Sequence, residues 1–193
     1  MTIKKQRITK ETAITLSVER GLSESTIDTG VGFLNHMLDL FAFHGHFVFD
    51  IKVDGDIDVD DHHTTEDVGI LLGQALAELF GDKTTIQRYG TAYVPMDETL
   101  ARTVIDISGR PYLTFDNSFS SQTVGTFDVQ LVKEFFTALA MNARLTVHMD
   151  IIRGGNTHHE IEALFKSFAQ ALRQAASQST IDRLPSSKGV IQE

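Results

Sequence analysis

The motif HHxxE occurs twice. His62, His63 and Glu66 in DDHHTTED return as His158, His159 and Glu162 in THHEIE, 96 positions later (158 − 62). The same offset lays FLNHMLDLF over VQLVKEFFT, and FVFDIKV over the segment that holds RLTVHM. Side-chain identity between the copies is low, yet the order of elements agrees: strands, a helix, a strand, then a helix opening on HHxxE. A chain with this internal echo must fold as two similar units that bury their apolar faces together. The expected fold class is therefore α+β, with duplicated half-domains, each a mostly antiparallel sheet packed with two helices. The 193 residues suffice for one domain with a substantial core. A single catalytic domain over 1–193 is expected, its two structural repeats covering about 1–90 and 91–193.

Hydrophobic periodicity places the elements. ETAITLSVE, residues 11–19, alternates as a half-buried strand does, and so does HFVFDIKV. Leu34, Met37, Leu38 and Phe41 recur at helical spacing in GFLNHMLDLFAFHG. GLSESTIDTG reads as turn. A short alternation at Ile57 and Val59 suggests a strand in DGDIDVDD, which lacks the glycine and spaced glutamate of an EF-hand loop. Helices are expected over HHTTEDVGILLGQALAELFGD, ending at Gly81 and Asp82, over TFDVQLVKEFFTALAMNA and over HHEIEALFKSFAQALRQAAS. TAYVPMDETLARTVIDISGRPYLTF reads as strands broken at Pro95 and at the SGRP turn. RLTVHMDII reads as a strand, GGN as a turn and LPSSKGVIQE as loop.

There is no cysteine, so any metal must be held by His, Asp or Glu. In a helix, residues four apart share a face, whereas neighbours diverge by about 100°. His62 and Glu66 can thus chelate one ion while His63 points elsewhere, and His158, Glu162 and His159 repeat the pattern. Two chelating pairs and two single histidines are what a two-metal arrangement shared between halves or subunits requires. Imidazole with carboxylate suits Mn, Fe, Zn or Co, including six-coordinate Mn²⁺ completed by water or substrate. The zincin HExxH differs, because there the histidines stand four apart. Taken singly, an HH pair among acids is a solvated surface feature, and His36 and His148 are satisfied core histidines. Recurrence at equivalent places favours ligation. The formal charge of −9 argues against nucleic acid or an anionic membrane as partner. The apolar runs are too short to span a bilayer, and MTIKKQRITKET lacks the apolar core of a signal peptide. A cytoplasmic location is expected.

FLNHML, DDHHTTED, RYG, PMDE, DISGRP, GGNTHHEIEALFK and PSSKG follow one another in this order. With these motifs the chain, from about Glu11 to Gly189, resembles the imidazoleglycerol-phosphate dehydratase family of histidine biosynthesis, in its monofunctional form. The resemblance implies a fold like ribosomal protein S5 domain 2 in each repeat. It implies dehydration of imidazole glycerol phosphate to imidazole acetol phosphate, two Mn²⁺ per active site, and trimers assembling into a 24-subunit shell with active sites between subunits. It makes His36 and His148 metal ligands beside His62, His63, Glu66, His158, His159 and Glu162. Helix geometry then suggests a division, with His36, His62, Glu66 and His159 on one ion and His63, His148, His158 and Glu162 on the other.

The resemblance also implies Glu11, in the KET segment, as catalytic acid/base, with Glu66 and Glu162 as further proton carriers. By itself Glu11 reads as an exposed carboxylate at a strand edge. Glu11, His36, His44 and His62 are implied to meet the substrate. Arg88 in RYG, Arg110 in SGRP, Lys166 in LFK, and Ser187 with Lys188 in PSSKG fall at phosphate-binding positions, where guanidinium and ammonium groups suit phosphate oxygens. The roles of Asp97 and Glu98 in PMDE are not separable from sequence. Asn35 stands where the family commonly has Asp before His36, which keeps a hydrogen-bonding group for orienting the ligand but loses a charge.

Such ligands suit the implied chemistry. The proton to be lost sits on a carbon beside the imidazole ring, too weakly acidic for a side-chain base unaided. Metal on the ring nitrogens would delocalise the developing charge, and loss of the neighbouring hydroxyl needs a proton donor. Two other readings of the same donors are a two-metal phosphohydrolase and a non-catalytic metal-binding shell protein whose histidines join subunits.

Overall fold

The computed structural model describes residues 1–116, 118–180, 184–187, 189 and 191. The first repeat runs β1 (Thr2–Ile8), β2 (Thr12–Arg20), β3 (Thr26–Asp28), α1 (Gly32–Gly45), β4 (Phe47–Gly55) and α2 (His62–Leu79). The second runs β5 (Tyr89–Met96), β6 (Thr99–Asp106), β7 (Tyr112–Phe115), a small hairpin of β8 (Thr123–Val124) and β9 (Phe127–Asp128), α3 (Gln130–Ala143), β10 (Thr146–Arg153) and α4 (Thr157–Ala176). The two main sheets have one topology, β1-β2-β4-β3 and β5-β6-β10-β7. In each, three strands are antiparallel and the last pairs parallel with its neighbour.

Alternation explains the sheets. Ile14, Leu16 and Val18 of β2 face inward and sit opposite Val53, Ile51 and Phe49 of β4. A slip by one residue would expose all three, so the register is pinned by burial. The helices lie between the sheets, α1 and α2 on the first and α3 and α4 on the second, and they meet as α1–α4 and α2–α3. Phenylalanines from both repeats fill the centre. Phe136 and Phe165 lie 4.6 Å apart between ring centroids, Phe136 and Phe168 5.1 Å, and Phe41 and Phe168 5.3 Å. Among the described residues no helix is long and apolar enough to cross a membrane.

Four local expectations are corrected. Ile57 and Val59 form no strand and are exposed in a turn, because an alternation without a sheet edge to join has nothing to pair with. Pro95 lies inside β5, an edge strand where a missing N–H costs nothing. The chain reverses instead at Asp97, whose φ is 48°. GLSESTIDTG contains β3, too short for periodicity to reveal. The third expected helix starts at Gln130, since Phe127 and Asp128 are drawn into the hairpin.

Candidate metal centre

Both HHxxE motifs open a helix because a side chain caps their first N–H groups. The Asp60 carboxylate accepts the His62 N–H at 2.7 Å, and the Asn156 side-chain carbonyl accepts those of His158 and His159 at 2.9 and 3.3 Å. The GGN turn fits tightly ahead of α4. A Cβ on Gly154 would lie 1.9 Å from Glu160 Oε1, which accepts the Gly155 N–H at 2.9 Å. The paired histidines are thus fixed on the first turns of α2 and α4.

Three donors converge within the chain. His158 Nε2 is 3.3 Å and His36 Nε2 3.9 Å from Glu162 Oε2, and all three ligand atoms lie within 4.8 Å of one another. An ion at roughly 2.0–2.2 Å from imidazole and carboxylate donors needs about this spacing, so the donor set fits a divalent cation. Burial pushes the Glu162 carboxyl up, but Lys166, followed by His36 and His158, outweighs it and holds the group below the ordinary carboxylate range. Lys166 forms an ion pair with Glu162 and approaches Met96 Sδ at 3.6 Å. His44, half-buried nearby, has its pKa lowered by burial and by the charges of Lys166 and Arg173.

The pair in α2 is less complete. His62 Nε2 stands 3.8 Å from Glu66 Oε2, and among the described residues no third His, Asp or Glu closes a cluster with them. The 96-residue offset explains this, because it places buried Val132 of α3 where a counterpart of His36 would stand. Within one chain His36 stands with His158 and Glu162, so the expected grouping of His36 with His62 and Glu66 would have to form between copies of the chain. Spacing of i,i+4 fixes which residues share a helix face, but not which helices abut, and α1 packs on α4.

The single histidines each hold a carboxylate through Nδ1. His63 Nδ1 is 3.0 Å from Asp56 Oδ2, a hydrogen bond that raises the imidazole pKa. His159 Nδ1 is 3.2 Å from Glu98 Oε2. Glu98, which also accepts the Asn156 N–H at 2.9 Å, is held below the usual carboxylate range by its own backbone N–H and then by His159. Asp97 is largely exposed, its Oδ2 4.0 Å from His159 Nδ1, which separates the two acids of PMDE. A carboxylate on Nδ1 leaves Nε2 of each ring as the nitrogen that could take a metal. Glu11 Oε1 lies 3.9 Å from His63 Nε2, on the β1–β2 turn. That turn is fixed by Thr9 Oγ1, which accepts the N–H groups of Glu11 and Thr12, and by the Asp56 N–H, which donates to the Glu11 carbonyl at 3.1 Å. The Asn35 side-chain oxygen bonds Thr29 rather than the His36 ring, accepting from the Thr29 N–H and hydroxyl at 2.9 and 2.6 Å, and closes the turn before α1.

The remaining candidates lie elsewhere. His148 is exposed on the face of the second sheet that turns away from the helices, 6.2 Å from the Tyr112 ring. Arg88 grips Asp106 through Nε and Nη2 at 2.7 and 3.2 Å, which raises its pKa, and donates Nη1 to the Pro185 carbonyl at 2.6 Å. Arg110 Nη2 is 3.8 Å from Asp106, and exposed Ser187 follows in the same tail; Lys188 lies outside the described residues. The Arg88 N–H donates to the Ala175 carbonyl near the end of α4. Seventeen helical steps lead from His158 to Ala175 (175 − 158), roughly 25 Å at about 1.5 Å per residue. Lys166 thus belongs to the metal end, and Arg88, Arg110 and the tail form a separate basic end. Asp56, which holds His63, carries no signal in sequence beyond its place in the acidic run DGDIDVDD, whereas Asp67 reads with Asp60 and Asp61 as a cap or support for the ligands of DDHHTTED.

Comparison with known proteins identifies the family. Residues 29–172 match the family model described as imidazoleglycerol-phosphate dehydratase. The chain is 60% identical over 192 residues to imidazoleglycerol-phosphate dehydratases of Staphylococcus aureus strains JH9 and Newman, covering 100% of each chain. It is similar to the crystal structure of imidazoleglycerol-phosphate dehydratase from Staphylococcus aureus subsp. aureus N315, with TM-score 0.86 and 56% identity over 93% of this chain and 100% of that one. It is also similar to the Pyrococcus furiosus IGPD structure in complex with (S)-C348, with TM-score 0.84 and 38% identity over 96% and 99% of the two chains.

Proposed function

The chain belongs to the imidazoleglycerol-phosphate dehydratase family, hydro-lyases of histidine biosynthesis, and from that premise we propose a two-metal dehydration at a site built between copies of the chain. The reaction removes water from imidazole glycerol phosphate to give imidazole acetol phosphate. What carries the reading is the convergence of His36, His158 and Glu162, three donors of the right chemistry within one chain. They would hold one Mn²⁺, while His62 and Glu66 would begin a second site. The Nε2 atoms of His63 and His159, and His148 of another copy, would complete the shells. When bound, the two ions supply Lewis acidity toward the substrate's imidazole nitrogens, which makes the neighbouring carbon more acidic.

The chain's own groups do the rest. Glu11, exposed beside His63, moves the proton between the substrate carbon and the departing hydroxyl, a task suited to a carboxylate within reach of solvent. Glu66 and Glu162 accept or pass protons close by. Lys166 pairs with Glu162 and, against the effect of burial, holds its carboxyl below the ordinary range, which favours the carboxylate form that a metal needs. Arg88 and Arg110, shielded from each other by Asp106, present a basic end with Ser187 for the phosphate.

The two ends also argue for self-association. A phosphate ester of this size spans about 10 Å at ordinary bond lengths. It cannot bridge roughly 25 Å along α4 within one chain. The metal end of one copy must therefore meet the basic end of another, in keeping with trimers that assemble into a 24-subunit shell. A soluble biosynthetic role in the cytoplasm fits the same reading. The test is to incubate the protein with imidazole glycerol phosphate, with and without Mn²⁺, and follow the keto product and free phosphate. Metal-dependent keto product without phosphate release is expected. Phosphate release without keto product would mean a phosphohydrolase.

A further inference from the structure

Asp67 is the residue after Glu66, yet its carboxylate turns to the β1 and β2 strands. It is 6% exposed, its Oδ2 accepts the Thr12 hydroxyl at 2.5 Å, and its Oδ1 stands 2.9 Å from Arg7 Nε in an ion-pair contact that is not aligned as a hydrogen bond. Arg7 and Thr12 stand on either side of the β1–β2 turn that carries Glu11. Asp67 also lies four residues after His63, on the same face of α2. One helix face therefore does two things at this turn: His63 meets the Glu11 carboxylate, and Asp67 holds the strands below it. We propose that Asp67 is a positioning residue for Glu11, locking the acid/base turn to the helix that carries the metal ligands.

The second repeat supplies an internal control. The 96-residue offset places Ala163 at the position of Asp67, and Ala163 is fully buried in α4. There α4 packs on β5 and β6 without a carboxylate at that position. Burying a charge is costly unless it is fully paired, so a fold that does not need one is expected to lose it. The β5–β6 turn is instead tied through Glu98 to Asn156 and His159. Of these two turns, only the one that carries Glu11 is tied to its helix by a buried carboxylate among the described residues. Its value lies in distance, because an acid/base group displaced by about 1 Å can lose as much as a hundredfold in rate.

This inference rests on Glu11 as the acid/base group, and a double-mutant cycle separates the two claims. Asp67→Ala and Glu11→Gln are made singly and together, and kcat and KM are measured for the metal-loaded assembly with imidazole glycerol phosphate. Asp67→Ala is expected to lower kcat about tenfold with KM nearly unchanged, and Asp67→Asn, which keeps an acceptor for Thr12, to recover most of it. In the Glu11→Gln background, Asp67→Ala is expected to change kcat less than about twofold. Losses that multiply in the double variant, or an unchanged kcat in Asp67→Ala, would overturn the inference while leaving Glu11 in place. Full turnover in Glu11→Gln alone would remove both claims. If Asp67→Ala does not fold, Thr12→Val enters the same cycle with the same expected non-additivity, and multiplying losses there overturn the inference equally.

Discussion

Replacing Gly73 by alanine sets two opposing effects against each other. Gly73 is buried in α2 where that helix crosses α3, the main contact between the two repeats. A Cβ there would lie 2.6 Å from the Leu139 carbonyl oxygen, 2.9 Å from Asn142 Cβ and 3.0 Å from Ala143 N. Two of these are backbone atoms, which cannot rotate out of the way, so α3 must move by several tenths of an ångström. Overpacking of this kind costs about 1–3 kcal/mol. Helix propensity works the other way, favouring alanine over glycine by about 1 kcal/mol. The steric term should win by about 1 kcal/mol, lowering Tm by about 2–4 °C in a chain of this size. Gly32→Ala in α1 is the control, since a Cβ there meets nothing within 4 Å. Calorimetry at matched chain concentration and metal content reads both, because association and ligation themselves shift Tm. A rise in Tm for Gly73→Ala, of the size propensity alone would give, would refute the close crossing of α2 and α3.

Two further outcomes follow from the site. In chelator-treated protein, Asp56→Asn should lower the pKa of His63, since the Asp56 hydrogen bond is the leading cause of its rise. A raised folded-state pKa stabilises fully below the unfolded value near 6.5 and is lost as pH climbs through the folded value, so Asp56→Asn should destabilise the metal-free protein at low pH and not above that window. NMR titration checks the shift, and an unchanged His63 pKa would count against the bond. Stripping the ions should also shrink the particle seen by light scattering, because ligands from different copies turn metal binding into association; an unchanged size would argue for ligation within one chain.

Much of the fold was legible in the sequence because it is written twice. The shared order of strands, helix, strand and HHxxE helix reappears as two sheets with one topology. Periodicity missed β1, an edge strand where only Ile3 is buried, and β3, which has three residues. It overread Ile57 and Val59, whose alternation has no sheet to join. At the site, the first-turn positions of both HHxxE motifs followed from local geometry. The partner of His36 did not, since helix packing decides that, nor did the separation of Lys166 from Arg88 and Arg110 along α4. Asp60, Asp61 and Asp67 together read as residues that cap the helix or support its ligands, and only burial against Arg7 and Thr12 sets Asp67 apart.

The central claim is that the metal end of one copy works with the basic end of another, and mixing variants tests it most directly. Glu11→Gln damages the first end and Arg110→Ala the second, and both side chains are exposed enough to leave the fold intact. Each assembly alone should be nearly inactive. After dissociation, equal mixing and reassembly with Mn²⁺, random placement leaves about one site in four with both ends intact, so about a quarter of the original turnover should return. A mixture as inactive as its components would place both ends in the same chain and contradict the account.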